Sequence, residues 1–276
     1  MFRLVLLAAT VVALFVVPPA SAAAPHRIVS LSPTATESLF AIGAGKQVVA
    51  VDDQSDYPKR APRTSLSGYT PNVEAIAGYR PDLVVLSGDA NGVVAGLRKL
   101  GIRVLLQPAA TNLAQAYAEI DQLGAITRHK RGAAVVVARM KKGIAQAVKS
   151  VPKRKLSVYH ELDPTYYSAT SRTFIGRIYK LFGLRNIADA ADSSGSGYPQ
   201  LSGEYILAQN PGLIVLADTR CCGQSAATVA GRPGWSGLAA VRNHRVVGID
   251  DSIASRWGPR ILNFVRAVGE ALRRKA

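Results

Sequence analysis

Cysteine is almost absent from this chain of 276 residues, and its two cysteines, Cys221 and Cys222, are adjacent. A framework of several disulfides is therefore excluded, and no third Cys or nearby His completes a metal site around the pair. Neighbouring Cα atoms lie about 3.8 Å apart across a trans peptide, below the usual range for a disulfide. Two alternatives stay open: a strained vicinal disulfide, or two thiols that are free or capped separately.

Histidine and acidic residues are scarce as well. The four histidines form no short-spaced pair, so the sequence indicates no zinc site built by the protein. Only 18 acidic residues face 34 Lys and Arg, which gives a formal charge of +16. Such a charge is typical of nucleic-acid binding, but the basic residues are scattered and no aromatic-interleaved patch occurs. We expect no nucleic-acid partner, and either a solvated basic surface or attraction to an anionic ligand or envelope.

A long hydrophobic run occurs only at the N-terminus. Arg3 precedes the apolar run LVLLAATVVALFVV, and Pro18, Pro19 and a series of small residues up to Ala24 follow. This pattern predicts a secretory signal peptide over residues 1–24, because the run is short for a membrane span; an uncleaved anchor is the alternative. Since no Cys lies near the cleavage site, we expect an exported protein of the periplasm or another cell-envelope space that is not lipid-anchored.

The rest of the chain contains a repeated block. EAIAGYRPDLVVL starts at Glu74 and EYILAQNPGLIVL at Glu204, with Glu, Ile, Pro, Leu, Val and a final Leu at the same offset. Each copy is typical of a short helix, a turn and a buried strand, and such alternation indicates a parallel sheet covered by helices. Self-similarity at a long period predicts two lobes of like construction, although helix–turn–Pro–strand is also a common arrangement in α/β proteins.

The stretch that separates the two copies predicts one long helix. Residues 123–151 carry Ala, Val, Ile and Met at three- and four-residue spacing between Lys and Arg, the period of an amphipathic helix with a basic outer face. Thr127 can cap its start and Pro152 stops it, and its length of roughly 36 Å would bridge two bodies. We therefore predict an N-terminal lobe over residues 25–124, a linking helix over 125–151 and a C-terminal lobe over 152–276, with little movement between the lobes.

Loops at the predicted strand ends carry the candidate binding residues. Open α/β sheets bind ligands at the carboxyl ends of their strands, and aromatic surfaces with few polar groups suit a large, flat, partly apolar ligand. Asp251 has two interpretations: it contacts the ligand, or it forms the turn after the strand, as Asp often does. The predicted ligand-binding residues are Gln54, Tyr69, Ser87, Tyr166, Tyr167, Tyr198, Asp251, Arg256 and Trp257.

An enzyme is the alternative from a different functional class. Ser225 lies in the segment GQSAA, which loosely matches a nucleophile elbow but lacks its last glycine. The sequence places no base or orienting acid beside it. A secreted serine hydrolase is therefore the weaker hypothesis, and we expect a binding protein with no catalytic residue and with neither a metal nor a cofactor of its own.

Five segments carry a resemblance to a known family: RIVSLSPTATESLFAIGAG, VVAVDDQSDYP, NVEAIAGYRPDLVVL, YPQLSGEYILAQNPGLIVL and ASRWGPRI. Over the whole mature chain, the sequence resembles the substrate-binding proteins of bacterial ABC importers with a helical backbone, the group that carries cobalamin, haem and ferric siderophores. It is most similar to the cobalamin-binding members. The resemblance implies an α/β fold of two Rossmann-like lobes with parallel sheets joined by a single long α-helix. It also implies a corrinoid held between the lobes, an importer permease dimer as partner, and a monomer.

The chain departs from the cobalamin-binding members in its pocket. Gly68-Tyr69 stands where they carry a large aromatic residue before the first docking glutamate, Ser87 replaces another aromatic residue, and Gln54 replaces a tyrosine. Their long-range disulfide is also missing here. These departures concern the identity of the ligand rather than the architecture of the lobes.

Two other ligands carried by the same group stay open for this chain. Haem would use Tyr166, Tyr167 or His160 as an iron ligand. A ferric siderophore would bring carboxylate or catecholate oxygens to Arg256 and to the basic charge of the protein. All three ligands are small-molecule metal complexes.

Glu74 and Glu204 occupy the same position in the two copies of the repeated block. In the family that the chain resembles, two such glutamates, one per lobe, meet arginines on the two permease subunits, so the resemblance implies a docking role for both. The alternative is structural, because the positive end of a helix dipole favours a carboxylate in the first turn. The dipole does not explain the choice of Glu over Asp, Ser or Thr, which cap a helix better.

Overall fold

A computed structural model gives the fold for residues 23–152 and 155–274. Residues 1–22, and with them almost all of the predicted signal peptide, lie outside these described residues. Within the described ranges, no helix combines the length and the apolar character that crossing a membrane requires.

The N-terminal lobe is a parallel sheet in the order β2-β1-β3-β4, with helices packed against it. β3 is buried along its whole length because helices cover both faces of the sheet. Its strands are β1 (Ile28–Leu31), β2 (Val48–Val51), β3 (Leu83–Leu86) and β4 (Arg103–Leu106), and its helices are α1 (Pro33–Ala41), α2 (Val73–Ala77), α3 (Val93–Lys99) and α4 (Leu113–Ile126).

The C-terminal lobe repeats this topology in the order β6-β5-β7-β8, again with every neighbouring pair parallel. Its strands are β5 (Ser157–Glu161), β6 (Arg185–Asn186), β7 (Leu213–Leu216) and β8 (Val246–Gly248). Its helices are α6 (Phe174–Leu181), α7 (Gly203–Gln209), α8 (Thr219–Cys222), α9 (Ala226–Ala230), α10 (Ala239–Arg242), α11 (Asp251–Ala254) and α12 (Ile261–Arg273). The two identical strand orders confirm the predicted fold class of two like α/β lobes.

The helix that joins the lobes, α5 (Lys130–Lys149), begins later than the sequence predicts. Thr127 does not cap its start. Instead Thr127 ends α4, where its hydroxyl donates to the Leu123 carbonyl at 2.7 Å and its side chain is buried. Arg128 follows in the left-handed region at φ 62°, which turns the chain into α5.

The linking helix is packed against both lobes. A Cβ at Gly132 would collide with the Ile42 carbonyl of the N-terminal lobe, and one at Gly143 with the Leu262 side chain of α12. These glycines let the helix approach its neighbours closely, so they are packing positions rather than weak points in the helix. One hydrophobic cluster runs from Leu39 on α1 through Met140 on α5 to Phe264 on α12 and makes the lobes share a core.

Candidate functional site

Two adjacent cavities lie between the lobes, and Ser255 and Trp257 line both of them. The first has a volume of about 350 Å³ and the second about 390 Å³. We call these two cavities together the cleft. Its N-terminal wall comes from the loops that follow β1, β2, β3 and β4, where open α/β sheets bind their ligands.

The cleft brings together seven of the nine predicted ligand-binding residues. The lining of the first cavity includes Gln54, Tyr69, Ser87, Asp251, Arg256 and Trp257. The second cavity is lined by Tyr198 and again by Trp257. These residues come from both lobes, so the cleft exists only because the lobes are joined.

The apolar lining of the cleft includes the aromatic side chains of Tyr69, Phe174, Tyr198 and Trp257 together with Leu162 and Ile175. Tyr69 from the N-terminal lobe is 81% exposed, and Tyr198 from the C-terminal lobe is 49% exposed. Trp257 is half-buried, and its indole Nε1 donates to the Glu119 carboxylate at 2.8 Å across the lobe junction. Burial raises the pKa of Glu119, and the hydrogen bond from Trp257 opposes that shift. Each lobe therefore contributes one exposed tyrosine to the cleft, and the indole of Trp257 lines both cavities.

Tyr166 and Tyr167 lie elsewhere in the C-terminal lobe, and the described linings of the two cavities include neither. Tyr166 stacks on Trp235 with ring centroids 5.6 Å apart, and the Arg232 guanidinium lies 5.4 Å from the Tyr166 centroid. Tyr167 is 41% exposed and pairs with Gln200 in an isolated β-bridge. The sequence placed them by their position after β5, but tertiary packing decides which strand-end residues reach the cleft.

Arg256 lines the cleft, yet its charge is already paired. It donates to the Glu37 carboxylate at 2.9 Å, to Asp56 at 2.7 Å and to the Gln54 carbonyl at 2.8 Å. All three acceptors belong to the N-terminal lobe. The contact of Arg256 with the ligand stays a prediction, and the structure adds that this side chain connects the two lobes.

Arg260, four residues further on, binds the same carboxylate. Its Nη2 lies 2.5 Å from Glu37 Oε1 and its Nε 3.0 Å from Oε2. The start of α1 does not need Glu37, since Ser32 caps this helix by accepting from the Ala35 N–H at 3.3 Å. Glu37 is free to turn inward, where only 1% of its side chain is exposed.

Asp56 adds a second carboxylate to this junction. It accepts from Arg256, from the Ser252 hydroxyl at 3.1 Å and from Arg220 at 3.4 Å. Burial alone would raise the pKa of Asp56, but the hydrogen bond and charge of Arg256 lower it below its ordinary value. We call Glu37, Asp56, Arg256 and Arg260 the interlobe network. Sequence reasoning missed its two acids, although Asp56 lies in the SDYP segment.

Asp251 lines the first cavity, but its carboxylate is hydrogen-bonded within its own lobe. It accepts from the backbone N–H of Arg220 at 3.0 Å, from that of Cys221 at 2.8 Å and from the Thr219 hydroxyl at 3.1 Å. Although burial raises the pKa of Asp251, these hydrogen bonds lower it overall. Helix α8 ends at Cys222, which the structure joins to Cys221 by a vicinal disulfide.

His160, the candidate iron ligand, and Ser225, the candidate nucleophile, both make hydrogen bonds that stabilise the fold. His160 is fully buried in the C-terminal lobe, where its Nδ1 lies 2.6 Å from the Tyr179 hydroxyl. Burial lowers the pKa of His160 to about 4, so it is neutral near pH 7. Ser225 caps α9 in a reciprocal pair of hydrogen bonds with Thr228.

Glu74 and Glu204 lie on the surface in the first turns of α2 and α7. Neither is the capping residue, because the side chains of Asn72 and Ser202 accept the N–H bonds at the two helix starts. Within the described part of the chain, no hydrogen bond or ion pair engages either carboxylate. Both acids are therefore available to a partner.

The charged side chains of the cleft are all compensated within the described residues. Arg172, in the second cavity, pairs with Asp192, and Arg256 and Asp251 are engaged as described above. The cleft thus offers exposed aromatic surface, hydroxyl groups and one amide rather than an unpaired charge. This combination suits a large ligand without strongly charged groups.

Comparison with known proteins agrees with the architecture. A family model described as periplasmic binding protein matches residues 28–253. An ABC transporter substrate-binding lipoprotein of Bacillus subtilis is 32% identical over 260 residues, which cover 90% of this chain and 80% of the relative. A cobalamin-binding protein of Halobacterium salinarum is 32% identical over 257 residues, covering 90% of this chain and 69% of the relative.

Two solved structures from Vibrio cholerae share the fold. Its periplasmic vitamin B12-binding protein superposes with a TM-score of 0.73 at 25% identity, over 90% of this chain and 97% of the other. Its periplasmic heme-binding protein superposes with a TM-score of 0.79 at 23% identity, over 90% and 98%. At such identities the fold is common to proteins named for different ligands, so the ligand has to be argued from the cleft itself.

Proposed function

Since the chain belongs to the periplasmic binding protein family and is an exported substrate-binding protein of an ABC importer rather than an enzyme, we propose that its ligand is a corrinoid. The corrinoid would sit in the cleft between the lobes, and the protein would deliver it to the importer's permease dimer. The expectation that the protein carries no lipid anchor stays a prediction, because the Bacillus subtilis relative is named a lipoprotein.

The observation that carries the proposal is the arrangement of rings and charges in the cleft. The exposed ring of Tyr69 lines the first cavity, the exposed ring of Tyr198 lines the second, and Trp257 lines both. A corrinoid presents a broad macrocycle fringed with amide groups, which apolar rings and hydroxyl groups can contact without an opposite charge. The relative from Halobacterium salinarum, named as cobalamin-binding, adds support from sequence.

A ferric siderophore is less well supported by the same residues. Its carboxylate or catecholate oxygens are bound best by arginines that have no other partner. Arg256 is held by Glu37 and Asp56, and Arg172 by Asp192. Binding such a ligand would require the protein to break these ion pairs or to leave the ligand's charge uncompensated.

Haem is the second alternative, and its suggested iron ligands are poorly placed. His160 is enclosed in the C-terminal lobe and bonded to Tyr179, and Tyr166 is stacked on Trp235. Tyr167 lies outside both cavities. An iron ligand in the cleft would have to be Tyr69 or Tyr198, and burial raises the pKa of Tyr198, which disfavours its phenolate.

Calorimetric titration with cyanocobalamin tests the proposal, with hemin and a ferric siderophore titrated in parallel. We expect saturable corrinoid binding, and a loss of about 2 kcal/mol of binding free energy for Tyr69→Ala or Tyr198→Ala, as for a central aromatic contact. The matched control is Tyr167→Ala, an exposed tyrosine of the same lobe as Tyr198 that lies outside the cavities. If no corrinoid binds, the corrinoid is rejected as the ligand. If the control variant loses as much affinity as the cleft variants, the cleft is rejected as the binding site.

We further propose that Glu74 and Glu204 contact the two permease subunits. Two acids at equivalent positions of two like lobes match a partner with two-fold symmetry. On a protein with a formal charge of +16, two exposed acids would also define the orientation of docking.

A further inference from the structure

A basic groove of about 420 Å³ lies at the lobe junction, separate from the cleft. Glu37 stands between the two, because its carboxylate binds Arg260, which lines the groove, and Arg256, which lines the cleft. The other arginines of the groove come from the loop after β2, from the linking helix and from α12: Arg60, Arg139 and Arg266. Nothing in the proposed function uses this groove.

The charges of the groove are not balanced by the protein. Glu37 is its only acidic lining residue among those described, and two arginines already share that carboxylate. In residues 23–152 and 155–274, no hydrogen bond or ion pair engages the guanidinium groups of Arg60, Arg139 and Arg266. Like charges gathered in one concave surface repel each other and concentrate anions from solution.

Two of the arginines are held in place by aromatic rings. The Arg260 guanidinium lies 4.3 Å from the Tyr57 ring centroid, and that of Arg60 lies 5.3 Å from the centroid of Phe40. Stacking on a ring leaves the N–H edge of a planar guanidinium available for oxygen atoms. Arg260 uses Nε and Nη2 for Glu37, which leaves Nη1 for a further acceptor.

We propose that this groove binds a phosphate group. Inorganic phosphate or a phosphate monoester carries close to two negative charges and three or more acceptor oxygens, so it can engage guanidinium forks from more than one side. A single carboxylate has two oxygens and one charge, which would satisfy one fork and leave the others unpaired. The phosphate would come either from a small soluble phosphate compound or from a phospholipid whose headgroup is a phosphate monoester, as in phosphatidic acid, since an exported protein meets soluble compounds and membrane lipids.

The test is a titration of the purified protein with inorganic phosphate and pyrophosphate at an ionic strength of about 0.15 M, which screens weak surface attraction. A second arm measures co-sedimentation with vesicles that contain phosphatidic acid against phosphatidylcholine vesicles. The groove variant is Arg139→Gln with Arg266→Gln, two exposed arginines outside the cleft. The matched control removes the same charge from elsewhere on the linking helix with Lys142→Gln and Lys149→Gln.

We expect saturable binding in at least one arm, weakened about tenfold or more by the groove variant and within about twofold of wild type in the control. An Arg139→Lys, Arg266→Lys variant should recover only part of the affinity, because Lys keeps the charge but not the fork. Binding confined to the soluble anions assigns a soluble source, and binding confined to anionic vesicles assigns a lipid. No saturable binding in either arm, or equal losses in groove and control variants, would overturn the proposal. Cyanocobalamin titration of the same variants keeps this result separate from that of the cleft.

Discussion

Replacing Glu37 by Gln removes the carboxylate that Arg256 and Arg260 share across the lobe junction. Glu37 accepts three hydrogen bonds, at 2.9, 2.5 and 3.0 Å, and 1% of its side chain is exposed. The amide of Gln keeps the shape but offers one acceptor oxygen, and its NH₂ group would face a guanidinium. The variant therefore leaves two partly buried cations without their shared counter-charge.

The size of the effect follows from the burial of the two arginines. Breaking a buried ion pair by removing one partner costs about 3–5 kcal/mol. Here Arg256 keeps Asp56 and the Gln54 carbonyl, and the arginine side chains are 12% and 15% exposed, which admits some water. We therefore expect a loss near the lower end, about 3 kcal/mol in the free energy of unfolding.

Urea denaturation followed by tryptophan fluorescence measures this loss as a lower midpoint at an unchanged slope. Glu74→Gln is the matched control, because that carboxylate is exposed and unpaired within the described residues; its free energy of unfolding should stay within about 0.5 kcal/mol of wild type. A loss below about 1 kcal/mol for Glu37→Gln would refute the reasoning, since it would mean that water or a rearranged neighbour replaces the carboxylate without cost.

Three further predictions follow from the lobes, the docking acids and the buried histidine. Scattering profiles with and without cyanocobalamin should nearly superimpose, because α5 and one shared core join the lobes; a clear fall in the radius of gyration would contradict this. Glu74→Ala with Glu204→Ala should bind ligand normally but fail to stimulate ATP hydrolysis by the importer, and unchanged stimulation would leave both acids without a docking role. The unfolded chain protonates His160 near pH 6.5, whereas the folded protein does so near pH 4. The free energy of unfolding should therefore fall as the pH drops from 6.5 to 4, and it should fall less in His160→Gln. If the two proteins lose the same free energy of unfolding over this pH range, His160 is not the group responsible.

The strands show what the sequence predicts well. The buried strand predicted at the end of each repeated block is observed at Leu83–Leu86 and at Leu213–Leu216, where a short apolar run follows a proline turn. The start of the linking helix was predicted wrongly. Its apolar period continues upstream into α4, and the break between the two helices depends on the buried hydroxyl of Thr127 and the positive φ of Arg128. A periodic pattern cannot reveal a turn whose cause is tertiary burial.

For the cleft, too, the sequence predicts some features and not others. Residues at strand ends could be placed near one another because parallel strands end at the same edge of a sheet. The partners of Arg256 could not be predicted, since Glu37 and Asp56 lie 219 and 200 residues away along the chain. The sequence predicts Arg256 only as a ligand contact and assigns Glu37 no role in the site. In the structure these two side chains form an ion pair between the lobes, and the ligand contact of Arg256 stays a prediction.

The repeated block gives a final argument about Glu74 and Glu204. In each copy a neighbouring side chain, Asn72 or Ser202, already accepts the N–H groups at the helix start. A carboxylate two residues after the capping residue is therefore not required for capping. Its interaction with the dipole of a helix of five or seven residues is small and is screened by solvent. Both acids are nevertheless exposed and without partners in the described residues, at matching positions of two lobes with the same strand order. A structural role of a glutamate concerns only its own helix and does not require a match in the other lobe. A partner with two-fold symmetry, in contrast, requires equivalent residues on both lobes.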